Sequence, residues 1–376
     1  MPRTRATRAP LPPCPAPVPR SSWRRLYPVR LAPCWHRPFA LLTTMPKRLG
    51  PLVPLLAVLL LANCAGGAEP AAFEQSAAAE MARHPAWYGN GESRAFLVSR
   101  DGQPRAVLWG TMHVRYSGDT VLPRAIRDRF GEASDLTVEV ALDRIAPTDR
   151  RILAETMQKA VRTPDPAALA RLDAATRATL DDSLPAGSTG RFSLTGLTYL
   201  LAARALADTA GPLPRMGFVD LNLMGFARNR GIPVHGLEQP AIQVAALLQD
   251  PNGADAAANL RQALRRQRDA REFSSWVLSA YGRGRVAEAV AALTAWQADP
   301  DDLACAERRR QAVLADRNAV WVPKMETILA IPGLHFMAFG AGHLTGEDGV
   351  VALLRRRGWS VSPCPGDVCP SLPSGS

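Results

Sequence analysis

The sequence predicts an α/β protein, a mixed β-sheet flanked by helices with a large helical region inserted between its strands. Three observations carry this. Short apolar or alternating runs lie towards both ends of the chain, and the stretch between them is rich in Ala and Leu at helical spacing. Two of the apolar runs close on the same pattern, Gly-x-x-His, as Gly110-Thr111-Met112-His113 and Gly340-Ala341-Gly342-His343. Strand ends are where open α/β sheets assemble their sites.

Each element follows from local pattern. Ser93–Arg100 and Arg105–Trp109, separated by Asp101-Gly102-Gln103-Pro104, read as a hairpin. A helix is expected over Leu122–Glu132 and a buried strand over Asp135–Leu142. Helical periodicity marks 148–161, 165–183, 191–208 and 218–230, the last ended by Gly231-Ile232-Pro233. Val234–Glu238 is a short strand. Helices over 240–250, 254–282, 285–297 and 301–331 follow. Then come the strand Leu334–Phe339, a helix from Gly346 to Arg357 and a last strand at Trp359–Ser362.

The formal charge of +11 invites a nucleic-acid reading, which its distribution removes. Residues 1–44 hold eight Arg and ten Pro with no Asp or Glu. Met45-Pro46-Lys47-Arg48 and the apolar stretch Leu49–Ala62 then have the layout of a secretory signal over 45–68. Of the 45 Lys and Arg, ten precede residue 65, so the remainder faces 34 Asp and Glu almost in balance. No nucleic-acid partner is expected. Segment 1–44 is either a disordered extension or a leader translated upstream of a true start at Met45. Leu61-Ala62-Asn63-Cys64 resembles a lipobox, with Asn63 where a small residue is preferred. Cleavage after Ala65-Gly66-Gly67-Ala68 is the alternative. The protein is therefore expected to be exported, either periplasmic or held on the cell envelope by a lipid at Cys64. A single domain spans 71–363, followed by a C-terminal segment, 364–376, of a cysteine loop and a disordered tail. Cys364 and Cys369 bracket a Pro-Gly turn and are expected to pair, a metal or redox pair being the alternative. Cys305 reads as a small buried hydrophobe.

Four polar residues stand where chemistry is plausible. His113 and His343 follow strand ends; a turn histidine and a loop histidine are the structural alternatives. Glu139 interrupts an apolar strand, where a carboxylate is costly unless paired or ligating. Its uses are metal ligand or general base, and its alternative is an ion pair with an arginine. Glu238 ends the strand Val234–Leu237 in a polar cluster with His235, Gln239 and Gln243, or else caps the next helix. Asp220 reads as helix-start chemistry. Thr345 is expected to cap the helix after His343, and that helix N-terminus is a candidate anion site. Arginine runs at 261–271, 308–310 and 355–357 read as solvated helix faces. No His-Glu-x-x-His, Gly-x-Ser-x-Gly, Walker or Rossmann pattern occurs, which sets aside serine hydrolases and nucleotide enzymes.

Leu108-Trp109-Gly110-Thr111-Met112-His113-Val114, Val138-Glu139, Gly217-Phe218-Val219-Asp220, Gly236-Leu237-Glu238 with Gln243, Asp316-Arg317-Asn318, and Gly340-Ala341-Gly342-His343-Leu344-Thr345-Gly346 stand in this order. The ordered set, across about residues 93–362, resembles the TraB/GumN family and its bacterial GumN-like branch. The resemblance implies a TraB-type α/β fold related to Tiki metalloproteases, erythromycin esterase-like proteins and haem-binding ChaN. It also implies that His113, His343 and Glu139 correspond to the paired Gly-x-x-His and glutamate used by the Tiki branch for metal-dependent peptide cleavage. Glu238 and Arg317 match further family positions. The chain departs from Tiki proteins in having no segment after residue 90 able to span a bilayer. The GumN branch is named from an exopolysaccharide cluster.

The expected function is an exported metal-dependent hydrolase of peptidase type acting on a peptide or small molecule. His113, His343 and Glu139 would be metal ligands, and Glu139, Glu238 and Arg317 the catalytic residues. Mn, Co or Zn would suit such mixed imidazole and carboxylate ligation. The alternatives are a non-catalytic envelope protein binding haem, metal or a signalling peptide, and an accessory factor in exopolysaccharide production.

Overall fold

In the hairpin that opens the sheet, Asp101 and Gly102 both take positive φ, 52° and 72°, the tight Asp-Gly turn whose twist suits adjoining strands. It joins β1 (Ala95–Arg100) to β2 (Gln103–Thr111). The second strand starts earlier than the sequence predicts and contains Pro104. A register shift between Val98 and Ser99 accommodates it, a bulge where the missing amide does no harm. Strand β2 then pairs in parallel with β7 (His335–Gly340), β7 with β4 (Asp135–Val138), and β4 with β6 (Val234–Gly236). On the other side β8 (Ser360–Pro363) runs antiparallel to β1. The resulting six-stranded mixed sheet has the order β6-β4-β7-β2-β1-β8, so the α/β expectation holds. A two-residue ladder, β3 (Val114–Arg115) with β5 (Gly217–Phe218), lies just past β2.

The computed structural model describes residues 70–370 apart from 116–121, 143–144, 208–216, 249, 251, 267–268 and 299–301. The leader 1–44, the signal segment 45–68 with its Cys64 and the tail after Pro370 lie outside the described residues.

Both faces of the sheet are covered, as the period-2 alternation of its strands requires. On one face Leu97, Val107, Trp109, Leu136, Phe336 and Ala338 pack against α2 (Arg124–Glu132) and α7 (Val219–Asn229). On the other, Phe96, Leu108, Met337 and Phe339 pack against α13 (Asp316–Leu329) and α14 (Val350–Arg356). The interposed helices build three further clusters. One joins α1 (Pro70–Arg83), a helix the sequence reading does not anticipate, to α10 (Ala270–Gly282) and α11 (Val286–Gln297). There Phe273 stacks on Trp296 at 3.9 Å between ring centres. The others unite α3 (Pro147–Arg162), α4 (Pro166–Ala170), α5 (Ala174–Ser183), α6 (Leu194–Ala207), α8 (Pro240–Leu247) and α9 (Ala254–Arg266).

Several expected elements are broken or shortened for local reasons. The helix expected over 165–183 is two, because Asp165 and Asp173 each accept amide hydrogen bonds that start a new helix. The stretch 254–282 is divided between α9 and α10. The helix expected over 301–331 starts as α12 (Leu303–Arg310), capped by Asp302, and reaches α13 through a π-helical turn at Gln311–Ala315. Thr345 caps nothing: its hydroxyl donates to the Gly342 carbonyl, and α14 starts only after Gly349. The anion site expected at that helix start, in a helix of seven residues, gains no support. Cys364 and Cys369 form the expected disulfide, and Cys305 is a buried free thiol.

Phe336 is fully buried in the central strand and meets Phe130 edge-on at 4.9 Å. Phe336→Ala is expected to cost about 3–5 kcal/mol in denaturant unfolding, the usual range for a large-to-small change in a packed core.

Candidate functional site

Four parallel strands each deliver one polar residue within three positions of the C-terminal end. Strand β2 ends at Thr111 and yields His113; β4 ends at Val138 and yields Glu139; β6 ends at Gly236 and yields Glu238; β7 ends at Gly340 and yields His343. Parallel pairing puts these ends side by side, so residues spread from 113 to 343 meet at one edge of the sheet. Glu139 is therefore not inside its strand, as the sequence suggested, but one residue beyond it, because β4 stops four residues early. At the opposite end of the same strands, Asp135 and His335 form a separate buried pair at 2.7 Å.

The glycines of the two motifs serve close approach. A Cβ on Gly340 would sit 3.1 Å from His113 Nε2 and 3.2 Å from Glu139 Oε1, and one on Gly110 would strike Leu344 at 2.5 Å. Gly340 also donates its amide to Glu139 Oε1 at 2.7 Å. The Gly110 carbonyl accepts the Tyr281 hydroxyl at 2.6 Å, which pins the end of β2.

Glu139 is the hub. Its Oε2 accepts from Arg317 Nη2 at 2.6 Å and Gln243 Nε2 at 2.8 Å. Its Oε1 faces His113 Nε2 at 3.7 Å and His343 Nε2 at 3.9 Å. Burial favours its neutral form, but the charges of Arg317 and His113 and the Gly340 amide outweigh this. The carboxyl is held well below the usual range. The arginine pairing weighed as the alternative role for Glu139 is thus present, and both histidines face the same carboxylate. Among the described residues no group of three His, Cys, Asp or Glu is already spaced as a metal cage.

Each histidine is anchored at its other nitrogen. His113 Nδ1 lies 2.7 Å from Asp220 Oδ2, and His343 Nδ1 lies 2.7 Å from Asn318 Oδ1. Asn318 Nδ2 donates to the Asp348 carbonyl, so its oxygen is the atom turned to His343, which must donate from Nδ1. The Nε2 lone pair of His343 then receives Arg317 Nη1 at 3.2 Å. Burial, with Arg317 and His113 close by, pushes the His343 pKa down to about 3, so the ring is neutral. For His113 burial acts in the same direction but loses to Asp220, whose charge and hydrogen bond, helped by Glu139, raise it to about 9. Asp220 and Asn318 were not predicted as site residues. Their signal was the helix faces they occupy, one position into α7 and one after Arg317 on α13.

Glu238 stands behind Arg317. Both its oxygens receive Arg317 Nε at 3.1 Å, and Trp321 Nε1 donates to Oε2 at 3.0 Å. It is buried, does not line the cavity described below and makes no cap for α8, whose N-cap is Gln239. Gln243 joins the site, whereas His235 and Gln239 are exposed. The π-helical turn before α13 helps place consecutive residues Arg317 and Asn318 on the buried side.

Above this floor opens a cavity of about 160 Å³, lined by His113, Glu139, His343 and Gln243 and walled by α11, α12 and the π-helical turn. A family model described as the TraB/PrgY/gumN family matches residues 95–363. The chain belongs to this family. The match takes in every strand of the main sheet and all four strand-end residues. No curated protein and no solved structure matches it.

At neutral pH, Glu139, Glu238 and Asp220 carry three negative charges against Arg317 and protonated His113. A divalent cation in place of the His113 proton would bring this family site to neutrality. Two imidazole nitrogens and a carboxylate are a suitable donor set. Donors sharing an ion at about 2.0–2.2 Å lie roughly 3–3.5 Å apart. Seating one therefore asks a shift of several tenths of an ångström and release of Arg317 Nη1 from His343.

The His113–Asp220 pair makes stability depend on pH. A raised histidine pKa contributes fully below about pH 6.5 and is lost as pH climbs through about 9. The loss amounts to about 3 kcal/mol at most. Asp220→Asn should return the His113 titration, followed by NMR, towards the ordinary histidine range and abolish this alkaline loss in denaturation curves. An unmoved titration would contradict the geometry.

Proposed function

We propose that this TraB/PrgY/gumN protein is an exported, divalent-metal-dependent hydrolase acting on a peptide or a small amide or ester. One observation carries the reading: two histidines, 230 positions apart in the chain but on neighbouring strand ends, turn their Nε2 atoms to one Glu139 oxygen, each held from behind by a dedicated acceptor. That backing is how proteins orient imidazoles for metals. His113, His343 and Glu139 would hold the ion, which would supply a Lewis acid and an activated water. Mn, Co and Zn all suit the donors.

The rest is work for the protein's own side chains. Asp220 and Asn318 fix the two ring orientations and hold a proton on each Nδ1. Glu139 Oε2 is held by Arg317 and Gln243, which keeps the carboxylate charged and turns Oε1 to the two histidines. Glu238 keeps Arg317 charged and in place, and Arg317 can donate to a developing oxyanion once its hydrogen bond to His343 opens. Apolar cavity walls limit water around these charges. The C-terminal disulfide supports export, since such bonds persist in oxidising compartments. No helix among the described residues is long and apolar enough to cross a membrane; a lipid at Cys64 would tie the protein to the envelope.

Purified protein should cleave members of a peptide library only with added Mn, Co or Zn. His113→Ala and His343→Ala should each lower turnover by at least about a hundredfold, in line with loss of a ligand set. Turnover that survives chelator and both substitutions would overturn the reading. Tight metal or haem binding with no turnover on any peptide would favour the non-catalytic binder.

A further inference from the structure

Three arginines line the cavity, and they differ in what holds them. Arg317 is engaged by Glu139 and Glu238. Arg310 donates to Asp348 at 2.6 Å and lies over the Trp87 ring. Arg309 has no hydrogen bond or ion pair among the described residues. The nearby acidic charge, Asp255, is bound by Arg308. The sequence placed 308–310 on a solvated face; the structure turns Arg309 and Arg310 into the cavity lining instead. Arg309 is only partly exposed, and burial lowers its pKa from the usual arginine value, as for a guanidinium in a cleft. Among the described residues nothing supplies the anion that a guanidinium in such a cleft calls for.

We propose that Arg309 is the substrate-recognition residue of this cavity and binds a carboxylate borne on a small apolar group. Three features select that class. The walls beside Arg309 are apolar, with Met112, Val290, Leu293, Val313 and Leu314 among them. A cavity of about 160 Å³ matches one apolar side chain, since a void of similar size accepts benzene. A guanidinium fork recognises a carboxylate through two hydrogen bonds. Position agrees as well. Arg309 and Arg317 lie eight residues apart along one continuous helical run, about 12 Å. An anion on Arg309 is thus kept clear of the net negative floor formed by Glu139, Glu238 and Asp220. Beside it, the Tyr199 hydroxyl is buried without a partner among the described residues. Under the hydrolase reading, on which this substrate assignment rests, the natural instance is a peptide with an apolar C-terminal residue.

Isothermal titration of the purified protein with N-acetyl-L-leucine and with N-acetyl-L-leucinamide tests the assignment by binding alone. The wild type should bind the acid at least tenfold more tightly than the amide. Arg309→Gln should bind both alike, and Arg309→Lys should keep part of the preference, which guards against a misfolded Gln variant. Arg124→Gln, at an exposed position on α2 away from the cavity, should bind as wild type does. No preference in the wild type, or a preference that persists in Arg309→Gln, would overturn the proposal. Discrimination without peptide turnover would sustain it while the hydrolase reading fails. Turnover without discrimination would do the reverse.

Discussion

Arg317 carries its guanidinium into the interior, where carboxylates from two adjacent strand ends receive it. Glu238 takes it from behind through both oxygens, and Glu139 takes Nη2 at 2.6 Å from the cavity side. Trp321 lies beneath it, with the guanidinium carbon 4.6 Å from the ring centre. Burying such a charge costs several kcal/mol per ion unless every donor is met, and removing one partner of a buried pair commonly costs 3–5 kcal/mol. Here Arg317 also donates to the Val313 carbonyl and to His343. The ends of β4 and β6 are therefore tied to α13 by charge as well as by packing, and Glu139 has its orientation set before any ligand arrives.

From that fixed carboxylate the rest of the site follows. Gly340 admits Glu139 and His113 to the backbone of β7 because it has no side chain. Asp220 and Asn318 turn the histidines inward from opposite sides. The interior holds more negative than positive charge at its floor and more positive charge at its wall. This division suits a reaction in which a cation works at one end of the cavity and an anionic group is held at the other.

Much of this was legible in the chain. The paired Gly-x-x-His segments, the apolar runs before them and Glu139 in its hydrophobic setting pointed to strand ends and to a shared site, because strands buried on both faces read as continuous apolar runs. Glu238 and Arg317 were singled out as well, but their relation was not. An ion pair across 79 positions has no local signature. The same holds for Asp220 and Asn318, which are ordinary helix residues until the sheet brings the histidines to them. Arg309 was hidden by its neighbours, since a run of three arginines reads as a solvated helix face. The helix break at Asp173 was missed where an apolar pattern continued across a capping residue.

The central claim is that His113, His343 and Glu139 form one cation site whose occupant replaces the His113 proton. Calorimetric titration of the protein with Zn or Mn at pH 7.5, in buffers of different ionisation enthalpy, measures stoichiometry and proton release together. One ion per chain with release of about one proton is expected, both lost in His113→Ala. Binding without proton release, or binding unchanged in His113→Ala and His343→Ala, would contradict it.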